Sequence, residues 1–132
     1  MKKEQIDQIV KAQQAFFATG ITLDVDYRIA ALKKLRKALL DKEDAIAEAL
    51  YADLGKSAEE SYMCETGMVR SEISYMLRHI RHLTKEKTVA TPLAQFASHS
   101  FKKPSPYGVA LIMSPWNYPF MLALDPLVDA IA

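Results

Sequence analysis

Apolar side chains recur along this chain at helical spacing for most of its length. From Lys2 to Ala18 the positions Ile6, Ile9, Val10, Gln13 (the one polar member), Phe16 and Phe17 share one face, and Gly20 supplies a left-handed closing residue. A second helix is expected to begin near Asp24 to Asp26, with Ile29, Leu32, Leu35, Leu39 and Leu40 on one stripe and basic residues opposite, packing against the first. Asp41, three residues before Asp44, reads as a variant capping box for a short helix bearing Ala45, Ile46, Ala49 and Leu50 that stops by Gly55. Ser57 and Glu60 form a better box. They open a long helix whose stripe runs Tyr62, Thr66, Val69, Ile73, Met76, Leu77, Ile80 and Leu83.

After Thr84 the pattern changes. Thr91-Pro92 and Pro104-Ser105-Pro106 bracket a segment in which Phe96, Ser98 and Ser100 alternate with Ala97, His99 and Phe101, which predicts one or two exposed strands. Val109 to Met113 is a continuous apolar run, the signature of a strand covered on both faces, although no second apolar strand follows to pair with it. Residues 114–119 interrupt the run as a loop. Phe120 to Ala132 resumes as an apolar helix with Pro126 inside it, where loosening or a kink is expected.

Charge and composition exclude more than they assign. Lys and Arg total 17 against 16 Asp and Glu, so no net field draws the chain to nucleic acid or an anionic membrane. No apolar run is long enough to span a bilayer and no secretory leader pattern follows Met1, so the expected compartment is cytoplasmic. The single cysteine, Cys64, has no partner for an internal disulfide, and inside the long helix it reads as a structural thiol rather than a nucleophile. His79 and His82 stand at a spacing compatible with metal but without a completing ligand set, so they read as solvated or partner-facing. Arg70, Arg78, Arg81, Lys85 and Lys87, with Lys102 and Lys103, read as a solvated basic face, because no Gly-rich phosphate loop accompanies them.

The loop 114–119 is the one segment positioned for chemistry. It lies after a predicted strand and before a helix, where open α/β sheets place ligands. An Asn side-chain amide there can donate to a developing oxyanion, and the two flanking prolines stiffen the donor's loop. The bland alternative is a rigid turn around a buried Trp.

Pro106-Tyr107-Gly108-Val109-Ala110-Leu111-Ile112-Met113-Ser114-Pro115-Trp116-Asn117-Tyr118-Pro119 resembles the strand-and-loop signature of the aldehyde dehydrogenase superfamily, and the PWNYP pentapeptide is specific to it. The helix segment ending Pro126-Leu127-Val128-Asp129-Ala130-Ile131-Ala132, and upstream Ala49-Leu50-Tyr51-Ala52-Asp53-Leu54-Gly55-Lys56, resemble the branch of shorter, class 3 type enzymes. Asp125 and Asp129 depart from it, flanking Pro126 where many relatives carry uncharged residues. The resemblance implies an α/β fold with a Rossmann-type cofactor domain, of which this chain is a mostly helical N-terminal fragment with a strand arm and one core strand. It divides the chain into N-terminal helices at 1–90, an oligomerisation arm at 91–106 and the first core strand, loop and helix at 107–132.

The implied activity is NAD- or NADP-dependent oxidation of an aldehyde to a carboxylic acid. A cysteine thiolate attacks the carbonyl, the thiohemiacetal gives hydride to nicotinamide, and water hydrolyses the thioester. By resemblance Asn117 is the oxyanion-hole amide. Met113, Ser114, Pro115 and Trp116 approach the cofactor's ribose and nicotinamide side, and Tyr118, Met121 and Leu122 line the aldehyde tunnel. The nucleophilic cysteine and general-base glutamate belong to later segments of the family, and Cys64 matches neither. The fragment is therefore expected to be inactive by itself, with the arm serving a homo-oligomer and no nucleic acid, membrane span or metal involved. The competing reading is a non-catalytic helical interaction module or a truncated product without function.

Overall fold

The capping and closing residues that the sequence marks stand at helix ends, with one exception. The computed structural model describes residues 2–132. Helix α1 spans Lys3–Ala18, and Gly20, at φ 76°, turns the chain into a 3-10 turn at Ile21–Leu23. The Asp24 carboxylate accepts from the Asp26 amide at 2.8 Å and starts α2, Val25–Asp41. Helix α3, Glu43–Leu54, stops at Gly55, whose φ of 69° suits a residue without Cβ. The exception is Asp41. It keeps helical backbone as the last residue of α2 and pairs with Lys37 at 2.5 Å, so it does not cap α3; Lys42 precedes that helix without a side-chain cap.

The Ser57 hydroxyl accepts from the Glu60 amide at 3.2 Å and opens α4, Ala58–Ser61. The chain then widens into a π turn at Tyr62–Thr66 before α5, Gly67–Leu83, so the expected long helix is interrupted. The Gly67 amide donates to the Tyr62 carbonyl five residues back, and a Cβ on Gly67 would stand 2.5 Å from that oxygen. With this wider turn Tyr62 is 49% exposed, and Ser61 and Glu65 lie with Val69 on the buried face.

Helices α2 and α5 meet α6, Pro119–Ile131, around one core of Leu32, Leu39, Val69, Ile73, Ile80 and Val128. Val25, Ile29, Met76, Phe120 and Leu124 pack around it. Pro126 lies on the exposed side, and α6 continues through it. The Arg81 guanidinium joins α5 to Asp26 of α2, and Arg70 joins it to Glu43 of α3 at 3.0 Å.

Helix α1 does not pack along α2 as its stripe suggested, because the α2 stripe is occupied by α5 and α6. It has no buried residue. Ile9, Phe16 and Phe17 instead border an open apolar cleft opposite Val109, Ile112, Leu127 and Ile131.

A short two-stranded ladder brackets Thr91 and Pro92. Strand β1, Lys87–Val89, pairs antiparallel with β2, Ser100–Lys102, with Thr88 opposite Phe101. Leu93–Gln95 form a 3-10 turn, and Ala97 at φ 76° breaks the alternating run before it becomes a longer strand. Val109–Met113, expected as a core strand, forms no ladder among the described residues, and Leu111 and Met113 are 82% and 83% exposed. A strand needs hydrogen-bonding neighbours, and none of the described segments pairs its backbone with this one.

Three carboxylates crowd the α5–α6 interface. Burial raises the Glu72 pKa, and the charges of Asp129 and Asp125 push it the same way; burial, then Asp129, raises that of Asp125. A carboxyl whose folded pKa exceeds its unfolded value favours folding at low pH and loses that contribution as pH rises. Asp125 and Asp129 are also a like-charge i,i+4 pair, which costs a helix about 0.2–0.5 kcal/mol.

Two outcomes are expected. Asp129→Asn gains stability over wild type in urea melts by about 0.5 kcal/mol near pH 7, and the gain shrinks towards pH 4; a gain that grows on acidification contradicts the interface described. Gly67→Ala loses about 1–3 kcal/mol in the same assay because its methyl meets the Tyr62 carbonyl. The opposite sign, a gain of about 1 kcal/mol as helix propensity alone would give, refutes the close approach.

Candidate functional site

The loop 114–119 is anchored by two charged residues from elsewhere in the chain. Lys56 lies between the Gly55 turn and the Ser57 cap and is 7% exposed; Glu65, in the π turn, is 0% exposed. Their side chains pair, Lys56 Nζ to Glu65 Oε1, at 2.5 Å. A buried ion pair is stable only when the remaining donor and acceptor capacity of both groups is filled. Here it is filled by the loop. Lys56 Nζ also donates to the Asn117 carbonyl at 3.0 Å and sits 4.1 Å from the centre of the Tyr118 ring.

Glu65 Oε2 accepts from the Met121 amide at 2.8 Å. Met121 is the third residue of α6, so its N–H is one of the first-turn donors that no intrahelical carbonyl can satisfy. Tyr118 makes no side-chain cap, and Pro119 has no N–H. A carboxylate from another element therefore does the work of a cap, at the end of the helix where the macrodipole favours negative charge. The base of the site is braced from α3, because Glu43 Oε1 accepts from Thr66 Oγ1 at 3.4 Å and from Arg70.

Over this anchored base, Met113, Ser114, Pro115, Trp116 and Asn117 form one exposed stretch. Trp116 is 85% exposed, so the alternative of a stiff turn built around a buried Trp does not describe the loop. Tyr118 is half-buried beneath Lys56, and Leu122 is half-buried on the first turns of α6. Met121 packs against the hydrophobic core. The arrangement leaves Asn117 exposed while its backbone carbonyl is fixed.

The other candidate residues lie elsewhere. Cys64 is half-buried within the π turn. His79 Nδ1 lies 2.8 Å from the Tyr75 carbonyl, and its ring stacks on Tyr75 at 4.2 Å. Within the basic stretch Arg70 and Arg81 are paired with acids, and Lys103 meets Glu86 at 3.1 Å.

Sequence reasoning missed Lys56 and Glu65 as site residues. One signal was present for Glu65. Stepping back from Val69 by fours reaches Glu65 and Ser61, two polar residues on a face that must be buried, whereas the apolar Tyr62 drew the stripe off that line.

The aldehyde dehydrogenase family model matches residues 1–132, the whole chain. The chain is 44% identical over 127 residues to the 4,4'-diaponeurosporen-aldehyde dehydrogenase of Staphylococcus aureus, covering 96% of this chain and 28% of that protein. It is 38% identical to aldehyde dehydrogenase family 3 member B1 of Bos taurus, across 96% of this chain and 27% of that relative. A solved structure described as the substrate-bound state of Staphylococcus aureus AldH superposes with a TM-score of 0.92 at 44% identity, over 96% of this chain and 28% of the other. The chain thus spans little more than a quarter of the length of these relatives, and over that length it belongs to the aldehyde dehydrogenase family.

Proposed function

We propose that this chain forms the N-terminal part of an NAD(P)-dependent aldehyde dehydrogenase that converts aldehydes to carboxylic acids, with Asn117 as the side-chain donor of its oxyanion hole. The observation that supports it is the state of the loop: its backbone is tied to a buried ion pair while Asn117 stays exposed. A tethered backbone lowers the reorganisation that the donor faces when negative charge develops on a substrate oxygen.

In this reading Met113, Ser114, Pro115 and Trp116 line part of the ribose and nicotinamide side of the cofactor, and their shared exposure suits that contact. NAD or NADP, when bound, supplies the hydride acceptor. Tyr118, Met121 and Leu122 belong to the aldehyde tunnel wall. The nucleophilic cysteine and general-base glutamate come from parts of the enzyme outside these 132 residues, since Cys64 sits half-buried in the π turn. The 132-residue chain is inactive alone, and the arm around 91–106, with Leu93 and Phe96 92% and 88% exposed, serves subunit association.

Asn117→Ala in the full-length enzyme lowers kcat by about 10²–10³-fold, the loss typical of removing one oxyanion donor, and raises the aldehyde KM much less. The measurement is steady-state NAD(P)H formation. An unchanged kcat in a folded variant removes Asn117 from the oxyanion hole, and aldehyde-dependent NAD(P)H formation by the 132-residue chain alone contradicts the assignment of nucleophile and base to other segments.

A further inference from the structure

Lys56 and Glu65 touch none of the groups that react in the proposed chemistry, yet their contacts converge on the residues that do. The Lys56 ammonium reaches the Asn117 carbonyl at 3.0 Å and the face of the Tyr118 ring at 4.1 Å. Those two consecutive residues carry the proposed oxyanion donor and the start of the tunnel wall. Glu65 holds that ammonium at 2.5 Å and, through its other oxygen, the Met121 amide at 2.8 Å.

A peptide unit is planar, so fixing the Asn117 carbonyl also fixes the plane that leads into Tyr118. The Met121 amide fixes the other end of the same short segment. With both ends held, the Asn117 Cα is placed in that plane, and only the rotation about its Cα–C bond and its side-chain rotations remain. The anchor is suited to this task because both charges are buried: a surface pair would be screened and mobile, whereas this one cannot move without stranding a charge.

We infer that Lys56 and Glu65 are positioning residues for catalysis, a buried ion pair that aims the Asn117 amide through its own backbone carbonyl. This rests on the functional reading of Asn117 given above. It extends that reading to two residues that never meet the substrate, and it makes the oxyanion donor dependent on α3 and the π turn as well as on its own loop.

The test is a cycle in the full-length enzyme, crossing the pair variant Lys56→Met/Glu65→Leu with Asn117→Ala. The pair variant removes both charges together, so neither is left buried alone. With Asn117 present it lowers kcat by about 10–100-fold, the scale of a misplaced catalytic group, with a smaller change in aldehyde KM. In the Asn117→Ala background the same pair variant changes kcat by less than about 2-fold, since there is no donor left to aim. Equal losses in both backgrounds show a general structural defect and overturn the inference, as does undiminished turnover of the pair variant. If the pair variant does not fold, Glu65→Gln, which keeps the shape and a neutral acceptor, replaces it in the same cycle and is read by the same criterion. Asn117→Ala measured alone separates the two claims: if it keeps full kcat, the functional reading fails and the positioning role falls with it, whereas a large loss there combined with additivity in the cycle overturns the positioning role only.

Discussion

The Lys56–Glu65 ion pair is the interaction on which the rest of the site depends. Removing water from two charges costs several kcal/mol per ion, about the whole stability of a small domain, so such a pair persists only where its surroundings complete it. In this chain the completing groups are the Asn117 carbonyl, the Tyr118 ring and the Met121 amide. The helical layer and the Asn117–Tyr118 end of the loop are therefore joined through the pair. The loop supplies partners that the pair cannot do without, and the pair supplies a cap that the first turn of α6 otherwise lacks.

The pair's carboxylate lies within the π turn. With regular α-helical winding back from Val69, Tyr62 and Glu65 would share the buried face. With the wider turn at Tyr62–Thr66, Glu65 is buried and Tyr62 is half exposed, and Gly67 permits the turn by leaving space for the Tyr62 carbonyl. Glu43 then braces the turn through Thr66 and Arg70. A local irregularity in the helix thus accompanies a buried carboxylate that holds the first turn of α6 at Met121, 56 residues further along the chain.

Much of this fold was legible in the sequence because its signals are local. Asp24, Ser57, Gly20 and Gly55 mark helix ends through their own backbone and side-chain chemistry, and the structure uses each of them at those ends. The α2 and α5 stripes likewise read as the core for most of their length, although Leu40, Tyr62 and Leu83 are exposed. The loop 114–119 was legible from its motif and from its place before a helix. What was not legible depends on distant parts of the chain. The Lys56–Asn117 contact joins residues 61 apart, and no spacing rule reaches that far. Asp41 looked like a cap because its identity and its distance to Asp44 were right, but α2 keeps it helical. Val109–Met113 has the composition of a buried strand, yet a strand is a property of at least two segments, and here the second is not beside it.

The most direct measurement of this account is amide hydrogen exchange at Met121, resolved by NMR. Its N–H sits in the first turn of a helix, where exchange is ordinarily fast because no helical carbonyl is within reach. The buried Glu65 carboxylate predicts protection comparable to that of the Ile73 amide in the middle of α5, lost when Glu65 is replaced by Ala. Exchange of Met121 as fast as that of the exposed Leu111 in the wild-type chain would mean that the carboxylate does not hold the helix start, and the ion pair could not be what orders the loop.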